Sequence, residues 1–420
     1  MKVRLGFDHD FQEIEVADEA LLAVLTPKEL PKRETFQDPI QAALTEPIES
    51  PLLRACVRSG EKIVIITSDI TRPFPSARVI PGILEELAEA GVEWRNVSIV
   101  FALGIHRSHS RQEQRALLGE LPPGIEVLDS DPENCLHIGT TSRGTPIEVF
   151  KPVAEADRRI CLGNIEYHYF AGYSGGAKAI LPGVCNHTTI QANHKMMVLP
   201  GAQAGRLTGN PVREDIEEIL RYLPVDFILN VVLDEKKEIV HAVAGHPIAA
   251  HRAGCKYLDS MYSLPIQRQA DIVVVSPGGY PKDINLYQAQ KALDNAQHAV
   301  RPGGIIILVA SCKEGLGEAT FERWLHSVAK PDQLTTAIRK NFELGGHKAA
   351  AIAKVLEKAD VYLVSSFAPE SVSRIFMKPF DTCNAALQHA QSKLGEAAKI
   401  IVIPYGGSIL PKIEEHDLHQ

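Results

Sequence analysis

The sequence lacks long hydrophobic runs and clusters of basic residues. Its longest apolar stretches, such as residues 305–310, are too short to cross a bilayer. The 420 residues carry 44 basic and 52 acidic side chains, a formal net charge of −8, with no run of Lys and Arg. Because a nucleic-acid backbone requires a basic patch, the composition predicts neither a nucleic acid nor a membrane as a partner.

Paired cysteines and an apolar leader are also missing. The seven cysteines are an odd number and form no Cys-X-X-Cys motif, which argues against a disulfide scaffold and a zinc ribbon. Lys2, Arg4 and Asp8 interrupt the first residues, so we expect no secretory signal. With 45% apolar residues, the composition predicts a cytoplasmic protein of two or three domains.

Short β-branched segments recur along the chain, each followed by a Gly- or Pro-bearing loop and a helical pattern. This alternation predicts an α/β fold with mostly parallel, doubly wound sheets. Residues 227–232 and 238–243 differ, because a short charged connection between them indicates an antiparallel hairpin. The other predicted strands are residues 62–67, 97–102, 158–162, 271–275, 305–309, 361–364 and 400–403.

A change of pattern between residues 262 and 270 predicts a domain boundary. The predicted N-terminal domain comprises residues 1–265, and residues 405–420 are expected to return to it. The predicted C-terminal α/β domain comprises residues 266–404.

Polar side chains follow three predicted strands at the point where each strand ends. Asp69 and Arg72 follow the first of these strands, His106 follows the second, and His168 follows the third. Ligands of open α/β sheets bind outside the carboxyl ends of the strands, so we expect these side chains to converge. Each of them singly could instead be a helix cap or a surface residue.

A glycine-rich segment, residues 171–183, follows the third of these strands. It is not a P-loop, because alanine stands where that motif requires its last glycine and its Ser or Thr. Gly175 and Gly176 still allow close backbone approach to an anion. Lys178 is framed by apolar residues and would be nucleophilic when desolvated and neutral, whereas the alternative is a solvated loop lysine.

Two further segments carry candidate ligand-binding side chains. His194 lies in a predicted helix without the spacing of a zinc site, and a lone helical histidine is more often structural. Tyr287, Gln288 and Lys291 follow a Gly-Gly-Tyr-Pro turn, and the first and last of them share one helix face. Lys291 is either a solvated lysine or a contact for an anionic ligand.

Five segments together resemble the nickel-dependent lactate racemase family. They follow the family's order over roughly residues 65–295, and the 19-residue central block is the most specific. The resemblance implies an isomerase with its active site in the cleft between two domains. The segments are SDITRP (68–73), GIHR (104–107), IEYHYFAGYSGGAKAILPG (165–183), ANHK (192–195) and GGYPKDINLYQAQKA (278–292).

The resemblance implies a cofactor and a reaction. The cofactor is nickel held by a pincer nucleotide, pyridinium-3,5-bisthiocarboxylic acid mononucleotide, which accepts and returns a hydride through a 2-keto acid intermediate. The substrate is a small 2-hydroxy acid, which is racemised or epimerised at C2. Cofactor biosynthesis enzymes are implied as partners in maturation. The N-terminal domain would anchor the cofactor and hold the catalytic residues, and the C-terminal domain would close over the site.

Residue roles follow from the matching positions. Lys178 would form the covalent thioamide link to the cofactor, and His194 would complete the coordination of nickel. His106 and His168 would be the general acid and base, for which imidazole is suited near neutral pH. The other implied cofactor-binding residues are Asp69, Tyr287, Gly175 and Gly176. The implied substrate-binding residues are Arg72, Gln288 and Lys291.

Two departures from the family pattern put lactate itself in question. Ser108-His109 stands where many members have a proline after the arginine. Lactate enzymes place a tryptophan near residues 346–350, but the chain has only Trp94 and Trp324, neither of them in that segment. A pocket enlarged in this way, with His347 or Lys348 meeting a second polar group, would suit malate or a sugar acid.

Two other functions remain open from the residues alone. Lys178 could form a Schiff base with a keto acid, as in a lyase. The glycine-rich segment with its cationic residues could instead bind an anion without catalysis. A racemase with two bases and no cofactor would need an acidified C–H bond, for which the chain shows no source.

Overall fold

The chain folds into two units, one continuous in sequence and the other made of two separate segments. The structure is a computed structural model and describes residues 1–28, 38–234, 236–343 and 345–414. One unit, here called the central unit, comprises Pro31–Leu258. The other, here called the split unit, comprises Met1–Leu30 together with Asp259–Gln420.

Strands and helices alternate along most of the described chain. The strands are β1 (Lys2–Phe7), β2 (Asp10–Glu15), β3 (Leu21–Val24), β4 (Ile63–Ser68), β5 (Val97–Ala102), β6 (Glu126–Asp129), β7 (Cys135–Thr140), β8 (Pro146–Phe150), β9 (Arg158–Asn164), β10 (Tyr167–His168), β11 (Gly172–Tyr173), β12 (Phe227–Leu233), β13 (Ile239–Gly245), β14 (Ser263–Ile266), β15 (Ala270–Val275), β16 (Val300–Val309), β17 (Asp360–Val364), β18 (Lys378–Phe380), β19 (Ile400–Ile403) and β20 (Leu410–Ile413). The helices are α1 (Pro39–Thr45), α2 (Leu53–Cys56), α3 (Ser76–Glu89), α4 (Arg111–Leu118), α5 (Lys151–Ala154), α6 (His187–His194), α7 (Pro211–Glu218), α8 (Ala249–Tyr262), α9 (Leu286–Ala296), α10 (Ala319–His326), α11 (Asp332–Lys340), α12 (Gly346–Lys358), α13 (Pro369–Arg374) and α14 (Cys383–Leu394).

The central unit is built on a six-stranded sheet in the order β13-β12-β9-β4-β5-β6. Its strands are parallel except for the β12–β13 hairpin, which confirms the antiparallel pair predicted from the sequence. Val79, Ile83 and Leu87 recur every four residues along α3, so they form one buried face. That face belongs to the same apolar cluster as Ile65 of β4 and Ile99 of β5.

The split unit contains a second six-stranded sheet, in the order β18-β17-β16-β15-β19-β3, with all neighbours parallel. Leu5 of β1 and Ile14 of β2 are buried in the same cluster as Ile272 of β15 and Ile307 of β16. The predicted α/β fold with two mostly parallel sheets is therefore confirmed.

The two ends of the chain lie elsewhere than the sequence predicted. Residues 1–30 and 405–414 were assigned to the N-terminal domain, but the structure places both in the split unit. β3 pairs with β19 at the edge of the second sheet, and β20 pairs with β14. The predicted division followed chain order, whereas β3 pairs with a strand near the other end of the chain. Residues 415–420 lie outside the described residues.

Two features of the described residues concern the expectations drawn from composition about membrane spans and cysteines. No helix in the described ranges combines the length and the apolar character of a membrane span. All seven cysteines lie in these ranges, and the structure has each of them as a free cysteine.

A buried carboxyl group on α9 leads to a prediction about stability. Asp294 is almost fully buried and accepts a hydrogen bond from Gln297 Nε2 at 2.9 Å. Burial raises its pKa to about 7, even though the charge of Lys354 opposes this shift. A folded-state pKa above the unfolded one stabilises the fold below pH 4, and that contribution is lost as the pH rises through 7.

We therefore expect Asp294→Asn to stabilise the protein at pH 8 by about 2–4 kcal/mol and to change little at pH 4. Thermal melts of both proteins between pH 4 and pH 9 would measure this difference. An equal stability change at both ends of the range would contradict it, because the effect depends on ionisation of the buried carboxyl group.

Candidate active site

Three loops of the central unit meet at one edge of its sheet. Strands β9, β4 and β5 are neighbours and run parallel, so their carboxyl ends lie side by side. The loops that follow them are linked directly, since the Gly104 N–H donates to the Gly183 carbonyl at 2.8 Å. The structure thus brings the segments with Asp69, His106 and His168 to the same edge, as the sequence predicted.

A buried carboxylate, Asp69, contacts the partly exposed imidazole of His106. Nδ1 of His106 lies 2.7 Å from Oδ2 of Asp69, and the hydroxyl of Thr71 donates to the same carboxylate. Burial raises the pKa of Asp69, but the hydrogen bond and charge of His106 outweigh it, so the net pKa lies below its usual value. The ionised carboxylate only accepts, so Nδ1 of His106 carries hydrogen and Nε2 can act as a base.

The contacts of Asp69 bear on its predicted role. Its side chain is 3% exposed and both its oxygens accept from groups of the chain. These contacts support a role in positioning His106, while contact of Asp69 with the cofactor stays a prediction. The sequence could not show this pairing, because the two residues follow different strands.

His168 has the opposite tautomer. The backbone N–H of Ala171 donates to Nδ1 of His168 at 3.2 Å, so the hydrogen of the neutral ring lies on Nε2. Burial, together with the charges of Lys178 and Arg72, holds the pKa of His168 well below its usual value. The rings of Phe170 and His168 pack edge to face, with their centroids 4.5 Å apart. One histidine of the pair thus presents a lone pair at Nε2 and the other presents an N–H.

Lys178 lies in a short 3-10 helix, Gly176–Ala179, in the loop after β11. Burial, followed by the charges of Arg72 and Arg213, holds the pKa of its amine well below its usual value, against the opposing charge of Glu166. Burial thus favours the neutral, nucleophilic form of this amine, so the solvated-lysine alternative is not favoured.

The glycines of this loop are required by packing within the protein. Gly175 and Gly176 have φ values of +75° and +60°, which other residues rarely adopt. A Cβ at Gly175 would lie 2.8 Å from Oδ1 of Asn230, and one at Gly176 would lie 2.9 Å from the ring of His251. The Gly176 N–H already donates to Asn230 at 2.8 Å. These contacts explain both glycines without a bound anion, so their predicted contact with the cofactor gains no support here.

Arg213 is a cationic residue of this site that the sequence analysis missed. It lies on α7, is fully buried, and donates through Nε to the Ala171 carbonyl at 3.1 Å and through Nη2 to the Tyr173 carbonyl. Its guanidinium thus holds the start of the glycine-rich loop and adds positive charge beside Lys178 and His168. An isolated arginine in an amphipathic helix carries no sequence signal for this role.

His194 occupies the last turn of α6, which begins at the side-chain cap of Asn186. His194 is 8% exposed, and its ring packs edge to face with Phe170, with the two centroids 4.9 Å apart. Nδ1 lies 3.1 Å from Oδ1 of Asn193. Among the residues that the structure describes, no three His, Cys, Asp or Glu side chains come together in an arrangement that could hold a metal ion.

His109, one of the departures from the family pattern, supports the loop of Asp69. The Ile70 N–H donates to Nε2 of His109 at 3.1 Å, so Nδ1 carries the hydrogen and donates to Oδ1 of Asp129 at 2.8 Å. The His109 side chain is fully buried. It therefore connects the loops that follow β4 and β5 to the last residue of β6.

We expect His109→Leu to lower kcat by about 10- to 100-fold, because the loop that holds Asp69 and Arg72 loses its anchor and misplaced catalytic groups cost rates of this size. His137→Leu is the matched control, since His137 also lies 2.8 Å from a carboxylate, that of Glu148, but is exposed. Kinetics of both variants would test this. An unchanged kcat in His109→Leu, or an equal loss in the control, would contradict it.

Three predicted site residues of the split unit lie on α9, which begins at the side-chain cap of Asn285. Gln288 and Lys291 are exposed, and Tyr287 is half-buried. The ammonium of Lys348 lies 3.8 Å from the centre of the Tyr287 ring and donates to the Tyr287 carbonyl. Lys348 thus contacts both the ring and the backbone of Tyr287.

The segment around His347 differs from the open pocket that the sequence suggested. A Cβ at Gly346 would lie 2.3 Å from the ring of Trp324, so this tryptophan of α10 packs directly on the start of α12. Nε1 of Trp324 donates to Glu343 at 2.6 Å. Burial, followed by the charge of Lys348, lowers the pKa of His347 to about 3, so its ring is neutral. Because Trp324 lies in α10, its position in the sequence did not indicate that its ring would pack beside Gly346.

The fold is α/β, and the central unit brings two histidines and a lysine of lowered pKa to the loops at one edge of its sheet. Two family models match the chain: the lactate racemase N-terminal domain over residues 7–205 and the lactate racemase C-terminal domain over residues 266–410. The chain belongs to the lactate racemase family and is an isomerase of that class.

Individual relatives agree with this assignment. The chain is 37% identical over 385 residues to the lactate racemase of Thermoanaerobacterium thermosaccharolyticum, which covers 89% of this chain and 90% of the relative. It is 35% identical over 387 residues to the lactate racemase of Lactiplantibacillus plantarum, covering 90% and 91% of the two chains.

Solved structures show the same fold. The lactate racemase apoprotein from Thermoanaerobacterium thermosaccharolyticum superposes with a TM-score of 0.89 at 34% identity, covering 98% of this chain and all of that one. A protein from Thermotoga maritima, 19% identical with a TM-score of 0.62 over 86% of this chain and 96% of that one, shares the fold alone.

Proposed function

We propose that the protein interconverts the two configurations at C2 of a small 2-hydroxy acid, with lactate as the first candidate. The observation that carries this proposal is the pair of histidines with opposite tautomers, His106 held by Asp69 and His168 held by Ala171, beside Lys178. Inversion at a carbinol carbon requires one group that takes the hydroxyl proton and one that returns a proton on the other side.

The residues of the central unit fit the nickel-pincer nucleotide that the family resemblance implies. The lowered pKa of Lys178 favours the neutral amine, which is the form that can be acylated. Arg72 and Arg213 add positive charge suited to an anionic nucleotide. The imidazole of His194 would hold the nickel, whose other ligands would come from the nucleotide. When bound, the cofactor would accept the C2 hydrogen as a hydride and return it to either face.

The side chains of the protein bind the substrate and move its proton. Nε2 of His106 accepts the hydroxyl proton, and the ionised carboxylate of Asp69 stabilises the resulting imidazolium. Nε2 of His168 serves the opposite face. Arg72 is exposed at the same edge and holds the substrate carboxylate through charge-assisted hydrogen bonds.

The family resemblance is the support for three further proposed roles: Tyr287 contacts the cofactor, and Gln288 and Lys291 bind the substrate. Maturation requires enzymes that make the nucleotide and insert nickel, so expression without them is expected to yield folded, inactive protein.

Two observations favour lactate over a larger substrate. The relatives that match most of the chain are named lactate racemases. Trp324 packs against Gly346, and Lys348 is engaged with Tyr287, so the argument for a pocket enlarged to admit a second polar group is weakened. Malate and aldonic acids remain the alternatives to be assayed.

The test is racemisation by protein produced together with the cofactor enzymes. Each enantiomer of lactate, malate and an aldonic acid is incubated, and the products are separated by chiral chromatography. We expect lactate to be interconverted fastest, and His106→Ala and His168→Ala each to lower kcat by about 10²–10⁴-fold with nickel retained. Failure of nickel-loaded protein to interconvert any of these acids would contradict the proposal.

Deuterium at C2 distinguishes the mechanism. A hydride does not exchange with water, so lactate deuterated at C2 is expected to keep its label after racemisation in ordinary water. Washout of the label would indicate proton abstraction by a base instead.

The lowered pKa of Lys178 also favours one other function, a Schiff-base reaction with a keto acid. Borohydride reduction in the presence of pyruvate would trap such an adduct on Lys178. We expect no trapping in the loaded protein, because the amine is already acylated.

A further inference from the structure

A buried polar network lies behind His194 in the central unit. Asp215 of α7 is fully buried and accepts from Thr141 Oγ1 at 2.5 Å, from Thr145 Oγ1 at 2.8 Å and from Asn193 Nδ2 at 2.8 Å. Asn193 is also fully buried and precedes His194 in α6. Burying a carboxylate is costly unless it accepts hydrogen bonds, and Asp215 accepts three. These hydrogen bonds rigidly connect α6 to α7 and to the β7–β8 turn.

The network determines which way the amide of Asn193 points. Nδ2 of Asn193 lies near Asp215 Oδ2 and near the Val212 carbonyl, at 2.8 and 3.3 Å. Both of these oxygens only accept, so the NH₂ group must face them. The amide oxygen is therefore the atom that faces Nδ1 of His194, at 3.1 Å.

The orientation of the amide in turn determines the tautomer of His194. An amide oxygen only accepts, so Nδ1 of His194 must carry a hydrogen. In a neutral imidazole the lone pair then lies on Nε2. A histidine that binds a metal ion generally donates its other ring N–H to such a partner, which orients the ring and makes it a better ligand.

We infer that Asp215 and Asn193 are positioning residues that hold His194 in the Nδ1–H tautomer, so that Nε2 is the atom offered to nickel. The inference rests on the proposed role of His194 as a metal ligand. Asp215 acts only through Asn193, because its carboxylate fixes the amide that His194 meets. The cost of losing such a partner is about 10- to 100-fold in metal affinity.

The experiment uses Asn193→Leu, which removes the acceptor at similar volume, and Thr145→Val, which removes one donor to Asp215 as a milder change. The control is Gln191→Ala, an exposed residue of the same helix. Each full-length protein is labelled with ¹⁵N-histidine, and long-range ¹H–¹⁵N spectra without cofactor identify the tautomer of His194, assigned by comparison with His194→Gln. Each protein loaded with cofactor is then exposed to a chelator, and its nickel content is followed by mass spectrometry.

We expect the wild type and the control to show hydrogen on Nδ1 of His194. We expect Asn193→Leu to lose this signature and to release nickel about 10- to 100-fold faster, with Thr145→Val between the two. Hydrogen on Nε2 in the wild type would overturn the inference, as would unchanged nickel release in Asn193→Leu. If the wild type binds no nickel, the proposed function fails, while the spectra still decide whether Asn193 sets the tautomer. If Asn193→Leu does not fold, Thr145→Val decides the question.

Discussion

Replacing Lys178 with alanine is expected to abolish covalent attachment of the cofactor and all racemase activity. The wild type, produced with the cofactor enzymes, should carry an adduct of mononucleotide size on Lys178 and about one nickel ion per chain, the stoichiometry implied by one anchoring amine. The amine can be acylated because burial and the charges of Arg72 and Arg213 hold its pKa well below the usual value.

Lys195→Ala is the matched control for this experiment. Lys195 follows α6 and is exposed, so its loss should leave the adduct in place. Intact mass, peptide mapping and nickel analysis would measure both variants. An adduct that persists in Lys178→Ala would show that another group is the anchor. A wild type with neither adduct nor nickel, despite a working supply, would refute the cofactor proposal and make the Schiff-base reaction the next one to test.

Asp69→Asn is expected to lower kcat by about 10²–10⁴-fold with little change in KM. If the new amide donates to His106, it forces hydrogen onto Nε2 and removes the base. If it accepts instead, the negative charge that stabilises the imidazolium is still lost. The substitution preserves the size of a side chain that is 3% exposed, so the fold should survive.

Thr71→Val is the comparison for this variant. Thr71 Oγ1 donates to Asp69 at 2.9 Å, but its removal leaves the contact between Asp69 and His106 in place. We expect its kcat to fall much less than that of Asp69→Asn. Steady-state kinetics of the loaded enzymes would measure both. Equal losses in the two variants would indicate that the loop, and not the charge of Asp69, is what matters.

Much of the central sheet could be predicted from the sequence. Runs of β-branched residues form buried parallel strands because both faces of such a sheet are covered, and β5 was predicted with its observed bounds. The rule that ligands meet the carboxyl ends of parallel strands then predicted that His106 and His168 lie at one edge of the sheet. The domain division could not be predicted in this way, since β3 pairs with β19 across nearly the whole chain.

The residues that contact the site residues could not be predicted from the sequence either. His109 meets Asp129 and Ile70, Asp215 meets Asn193, and Trp324 meets Gly346, each pair brought together from separate elements. No periodicity or motif links such residues, because their contacts depend on which strands and helices become neighbours.

The sequence by itself determined the α/β class, the family, and the chemical types available at the site: two imidazoles, a lysine among apolar residues and an arginine. These follow from local pattern and from residues that lie in order along the chain. Only the tertiary structure decided the state of each group, because a tautomer or a shifted pKa depends on what surrounds it in space. Asp69 leaves the lone pair of His106 at Nε2, and the N–H of Ala171 leaves the hydrogen of His168 at Nε2. Burial, followed by the charges of Arg72 and Arg213, lowers the pKa of Lys178.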